Sequence, residues 1–216
     1  MLRRDYLVRM IEEMAEVIGK VFDLKQQRKT VEALLALDDL FQRQFRFNSA
    51  LLGSLSAKDI VDLFRNGELI EADKLQSLAR LLKEEGDVYL LSGQSDEGTV
   101  RHMKALHLYL VAGLNGGDTT LWNLDGEIKE LLRLLKGYRL YSETEQLLLR
   151  YEEAAGRFDL AENALFRLLK NGEATKEEGI AFYERLLSLN PHELERGGLP
   201  IEEVKEGLDE VHRDYA

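Results

Sequence analysis

The sequence predicts an all-α protein built from antiparallel helical hairpins. Leu, Glu, Lys, Arg and Ala are abundant, and only 2 prolines occur in 216 residues, a balance that favours helix over strand. Apolar residues return at steps of three and four over long stretches, the period of one buried helix face. Start and stop signals bound those stretches.

The first helix is expected from about Arg3 to Phe22, with Leu7, Met10, Ile11, Met14, Ile18, Val21 and Phe22 on one side. A second, from about Lys25 to Arg46, carries Val31, Leu34, Leu35, Leu37, Phe41 and Phe45. With only Asp23-Leu24 between them, the two must form a hairpin. Ser56-Ala57-Lys58-Asp59 has capping-box form and opens a short helix to Arg65, closed by Asn66-Gly67. Long helices follow at about Ile70 to Leu91 and Glu97 to Leu114, then a loop at Asn115-Gly116-Gly117-Asp118. Later helices are expected at Gly126 to Lys136, Ser142 to Ala155, Leu160 to Lys170, Lys176 to Leu189 and Ile201 to Arg213. Ser142 to Glu145 and Thr175 to Glu178 have capping-box form, Asn171-Gly172 is a stop, and Pro200 suits the start of the last helix. A single domain over 1–216 is expected, with an N-terminal hairpin at 3–46, repeat-like hairpins at 56–191 and an acidic capping helix at 199–213.

Glycines at 86, 93, 98 and 113 bracket two apolar stretches. A phosphate loop is excluded, because the Gly93–Gly98 gap lacks a following Lys-Ser or Lys-Thr, follows a helical pattern, and contains Asp96 and Glu97. Leu82, Gly86, Tyr89, Gly93, Gly98 and Ala105 instead follow the spacing of a tetratricopeptide repeat, which this stretch resembles. Gly156 to Ala161 with Leu165 and Leu168 resembles the turn and second helix of another copy, and Arg185 to Pro191 a repeat's end. Arg28 to Leu34 is a fainter echo. Glu85 and His102 stand where that family prefers apolar residues, and Leu149 where it prefers a small one. The layout is also similar to an uncharacterised bacterial family with an N-terminal helical hairpin ahead of tetratricopeptide-like helices. The resemblance implies a right-handed solenoid whose concave surface binds a protein or peptide. It puts Arg80, Lys83 and Asp87 at outward positions of the first repeat helix. Basic residues and asparagines fill such places in members that bind a peptide carboxylate, and Asp87 departs from that pattern.

No cysteine is present, which excludes disulfides, thiolate metal sites and a cysteine nucleophile. No signal peptide or 18-residue apolar run is legible, so a cytoplasmic protein that neither enters nor crosses a membrane is expected. The net charge of −11 opposes nucleic acid, whose phosphates demand cations. The arginines interleaved with Tyr138, Tyr141 and Tyr151 do not outweigh it. The deficit is steepest over residues 201–216, with six acids and two bases.

No catalytic, metal or cofactor site is expected. His102 and His107 are five apart, about 140° around a helix, so they cannot share a ligand. No His-x3-His or His-Glu-x-x-His spacing occurs. Neighbouring acids such as Glu84, Glu85, Asp87, Glu152 and Glu153 are expected by chance among 40 Asp and Glu. The expectation is therefore a non-catalytic binding scaffold, with Arg80, Lys83, Asp87 and Trp122 as candidate partner-binding residues. The alternative is a small-molecule sensor or enzyme with a pocket near the 114–123 loop, where Trp122 would be the anchor. Surplus apolar width on the first two helices also points to a homodimer through residues 3–46.

Overall fold

A computed structural model describes residues 2–214, and twelve helices account for almost all of their regular structure. The chain divides into two compact units, Met1–Tyr138 and Arg139–Ala216.

The first unit opens with α1 (Leu2–Gln26) and α2 (Thr30–Phe45). Helix α1 runs four residues past Phe22, and the hairpin turn falls at Gln27-Arg28-Lys29 instead of Asp23-Leu24. Nothing at residues 23–24 stops a helix, whereas Arg28 takes the left-handed conformation that reverses the chain (φ +57°). Two short helices, α3 (Ser49–Ser54) and α4 (Ala57–Leu63), come next. Ser56 and Asp59 form the reciprocal capping box at α4, as their spacing predicts. Asn66-Gly67 is not the end of that helix. It begins a tight turn between two-residue strands β1 (Arg65–Asn66) and β2 (Leu69–Ile70), paired antiparallel with Asn66 opposite Leu69. Gly67 supplies the positive φ of +63° that this turn needs.

Helices α5 (Ala72–Leu91) and α6 (Ser95–Leu114) form the most closely packed pair of the unit, and α7 (Leu124–Leu134) lies on α6. Gly93, at φ +83°, makes the turn between α5 and α6. Gly86 and Gly98 face each other across the pair, where a Cβ on Gly98 would stand 2.8 Å from the Gly86 carbonyl oxygen. Ala105 is fully buried in the same seam. Tyr89 is half-buried, and its ring lies 5.5 Å under the Arg101 guanidinium of α6.

Helices α1 and α2 both pack on α5. Part of each apolar stripe is buried within the unit: Met10 is 2% exposed, and Met14, Val21, Leu37, Leu40 and Phe41 are completely enclosed, whereas Phe22, Val31 and Leu35, expected on the same stripes, are exposed. Of the surplus width expected on this hairpin, Leu37, Leu40 and Phe45 are covered within the unit while Tyr6 and Phe22 are exposed, and Phe45 and Phe47 each stack edge-on against Phe64.

In the second unit, α8 (Ser142–Ala154) and α9 (Phe158–Lys170) form a hairpin, and α10 (Lys176–Leu187) packs on α12 (Ile201–Asp214), with α11 (Pro191–Arg196) between them in sequence. The Thr175–Glu178 capping box forms, but the one expected at Ser142 does not. Tyr141 takes the N-cap position, and Glu145 is buried in an ion pair with Arg167, 2.6 Å from Nη2. A partner on the next helix outcompetes the local backbone for this carboxylate. Pro200 precedes α12, and its carbonyl accepts from Val204 N–H. The core gathers Phe158, Leu165, Phe182, Tyr183, Leu186, Leu194, Val204 and Val211. Gly207 lets α12 lie against the Tyr183 ring, where a Cβ would come within 2.5 Å of Cζ. Among the described residues, no helix is long and apolar enough to cross a membrane.

Candidate functional site

Arg80 and Lys83, expected to face outward from α5, are held in ion pairs inside the first unit. Arg80 lies 2.6 Å from Glu84 and 2.8 Å from Glu127 of α7. Lys83 is only 4% exposed and bridges Glu127 at 2.8 Å and Glu130 at 3.0 Å. Lys25 of α1 reaches Glu84 at 2.8 Å and Asp87 at 3.3 Å. The other oxygen of Asp87 is 3.0 Å from His102 Nε2 on α6. A ladder of opposite charges thus ties α1, α6 and α7 to one face of α5.

Burial pushes the Asp87 carboxyl up, but the His102 hydrogen bond and the Lys25 charge outweigh it and hold the group below the ordinary carboxylate value. Burial likewise lowers Lys83, and its bonds to Glu127 and Glu130 more than restore the cation. These groups stabilise one another in place. Glu84 shares α5 with Arg80, the other paired acids stand on a different helix from their base, and each basic residue already has its carboxylate.

A second polar cluster sits at α3. Glu85, 1% exposed, accepts from Arg101 Nε at 2.5 Å and from the Ser49 hydroxyl. Lys104 donates to the carbonyls of Leu52 at 2.8 Å and Gly53 at 2.7 Å, satisfying the C-terminal end of α3. Burial and the nearby Arg101 charge lower the Lys104 ammonium to about 8. Glu85 and His102, the departures from the tetratricopeptide pattern, are therefore both buried and both paired.

The 114–123 loop is fastened to the start of α5. The Asp118 backbone N–H donates to Asp73 at 2.8 Å, Gln76 Nε2 donates to the Asp118 carbonyl at 3.0 Å, and Trp122 Nε1 donates to the Ser77 hydroxyl at 3.0 Å. Trp122 is half-buried against this helix. No three His, Asp or Glu side chains among the described residues are arranged to hold a metal ion.

An open concavity lies elsewhere, in the second unit. Helices α8, α9, α10 and α11 surround a groove of about 1230 Å³. Its floor is apolar, with Leu149, Phe158, Leu165, Phe182, Leu186 and Leu189. Arg150, Arg157, Arg185 and Arg196 stand around it with Glu153, Glu178 and Glu193. Arg185 grips Glu153 through two hydrogen bonds of 2.8 and 2.9 Å and lies over the Phe182 ring at 5.9 Å. Arg157 is bound to Glu152 and stacks over Tyr151 at 5.3 Å. Gly197 lets the chain after α11 close on Phe158, whose N–H donates to the Gly197 carbonyl at 2.9 Å.

Sequence reasoning did not single out this groove. The available signal was Leu149, a large residue at a position where a repeat hairpin takes a small one, which lines the groove.

No curated protein and no solved structure matches the chain at a significant level. The sequence model of a family of unknown function (DUF6483) matches residues 1–216, so this all-helical chain belongs to that family.

Proposed function

We propose that the protein is a non-catalytic protein- or peptide-binding scaffold, with tetratricopeptide-like hairpins arranged as a solenoid, that engages its partner through the groove of the second unit. The observation that carries this reading is the groove itself. It is larger than the roughly 300–1,000 Å³ typical of small-molecule pockets, and the half-buried Leu149 and Leu189, set over the core residues Phe158, Leu165, Phe182 and Leu186, lie beneath a charged rim. Apolar floors with polar rims suit the side chains of a docked segment. Arg80, Lys83 and Asp87 play a different part in this reading: they brace α5, and the partner-binding role passes to residues 146–196.

The experiment is selection of phage-displayed peptides on the immobilised full chain, repeated with Ala181→Trp. Ala181 is exposed and lines the groove, so an indole there fills the space without disturbing the core. Enriched peptides that bind the wild type and lose the variant are expected. Failure to enrich over a bare surface, or equal binding to both chains, rejects the groove. A thermal shift of several degrees with one metabolite, unaffected by Ala181→Trp, would favour the alternative of a small-molecule site near 114–123.

A further inference from the structure

The charges around the groove fall into two groups. Glu153 is held by Arg185, Glu178 is turned back onto the Thr175 N–H in its capping box, and Arg157 is engaged by Glu152. Arg150 and Arg196 are exposed, and neither forms an ion pair among the described residues. Against these two free guanidinium groups stands one uncommitted acid of the rim, Glu193. The surplus runs against its surroundings, because residues 139–216 carry eighteen Asp and Glu and only ten Lys and Arg.

We infer that the groove takes an acidic amphipathic segment of a partner protein, with its apolar face on Leu149, Ala181 and Leu189 and its carboxylates at Arg150 and Arg196. The inference rests on the groove's reading as a peptide-binding surface and adds the chemistry of the occupant. An arginine presents a planar fork of donors that fits a carboxylate with two parallel bonds. Two such forks at an apolar floor meet an acidic segment with opposite charge and a basic one with like charge. The acids elsewhere on the unit weigh little in this balance, since exposed charges beyond about 8 Å are largely screened at physiological salt. Complementary rim charges of this kind select among partners more than they add raw affinity.

The test uses three fluorescent synthetic helical peptides of about 18 residues with one shared apolar face and a polar face of Glu, Gln or Lys. Binding to the full chain is read by anisotropy at low salt. The Glu peptide is expected to bind roughly tenfold tighter than the Gln peptide, about the effect of two exposed ion pairs together, and tighter still than the Lys peptide. Arg150→Gln with Arg196→Gln, both exposed, should abolish the preference while leaving the Gln peptide unchanged. Added salt should shrink it as well. If all three peptides bind alike and Ala181→Trp weakens all three, the acidic occupant is overturned and the peptide groove stands. If none binds, or binding ignores Ala181→Trp, both fall.

Discussion

Gly86 of α5 and Gly98 of α6 meet backbone to backbone, so a methyl on Gly98 would press within 2.8 Å of the Gly86 carbonyl oxygen and into the Leu90 side chain. Helix propensity alone favours alanine over glycine by about 1 kcal/mol, so the sign of Gly98→Ala depends on which effect wins. A collision with main chain cannot be relieved by a rotamer change, and overpacking of this sort costs about 1–3 kcal/mol. Gly98→Ala should therefore destabilise the fold by about 1 kcal/mol net in urea titration.

Gly19 supplies the opposite case. It is exposed in the middle of α1, and a Cβ there would meet nothing within 4 Å. Gly19→Ala should stabilise by about 0.5–1 kcal/mol, purely through propensity and a less flexible unfolded chain. Equal effects of the two substitutions would show that α5 and α6 do not approach as closely as described.

The α5–α6 pair was legible because its signals are local: apolar period, a turn glycine, and small residues two turns apart. Helices α3 and α11 were not, since six residues do not complete two helical turns and leave no period to read. Their traces are caps alone. Asn48 accepts from Leu51 N–H, and Asn190 precedes Pro191 at the first helical position. The burial of Lys83 was hidden for another reason. A lysine is normally solvated, and its acids Glu127 and Glu130 lie more than forty positions along the chain. The groove was hidden likewise, because Leu149, Phe182 and Leu189 each sit on an ordinary amphipathic pattern and form one floor only after four helices assemble.

Asp87 gives the ladder on α5 a defined acid response. A carboxyl held below its ordinary value contributes stability that is present above the unfolded value of 3.8 and lost as pH falls through the folded one. Asp87→Asn should therefore cost about 2 kcal/mol at pH 7, the scale of a charge-assisted bond in a part-buried setting. The gap between wild type and variant should close below pH 3.8. A gap that persists undiminished at pH 2.5 would show that the carboxylate charge contributes nothing to the fold.

Lys104 works in the other direction. Its ammonium sits at about 8 against 10.5 unfolded, so the folded state gives up the proton first. Between those values the unfolded chain binds more protons, and stability rises with pH. Burying the charge is a cost fully present below pH 8 and relieved as pH climbs towards 10.5. Lys104→Met removes the titration while leaving the Leu52 and Gly53 carbonyls without their donor, a constant penalty across this range. Wild type should gain on the variant by up to about 3 kcal/mol between pH 7.5 and 10.5. A difference flat with pH would place the Lys104 proton at its ordinary value.

Self-association through residues 3–46 has to use what the first unit leaves uncovered. Met10 and Met14 are enclosed by it, so a glutamate there would bury an unpaired charge and unfold the chain without reporting on assembly. Val31 and Leu35 are different. They are 66% and 62% exposed, and a spacing of four puts them on one side of α2. In a two-fold contact each patch meets its own copy, so Val31 of one chain would pack on Leu35 of the other and the reverse. Val31→Glu with Leu35→Glu adds two like charges per chain at that contact, and on an exposed helix surface it costs little stability. The expected outcome is a wild-type dimer by light scattering at high micromolar concentration and a folded monomer of 24.8 kDa for the double variant, with unchanged far-ultraviolet circular dichroism. A wild type that already scatters as a single 24.8 kDa species rules the dimer out. A variant that stays dimeric moves the contact away from α2.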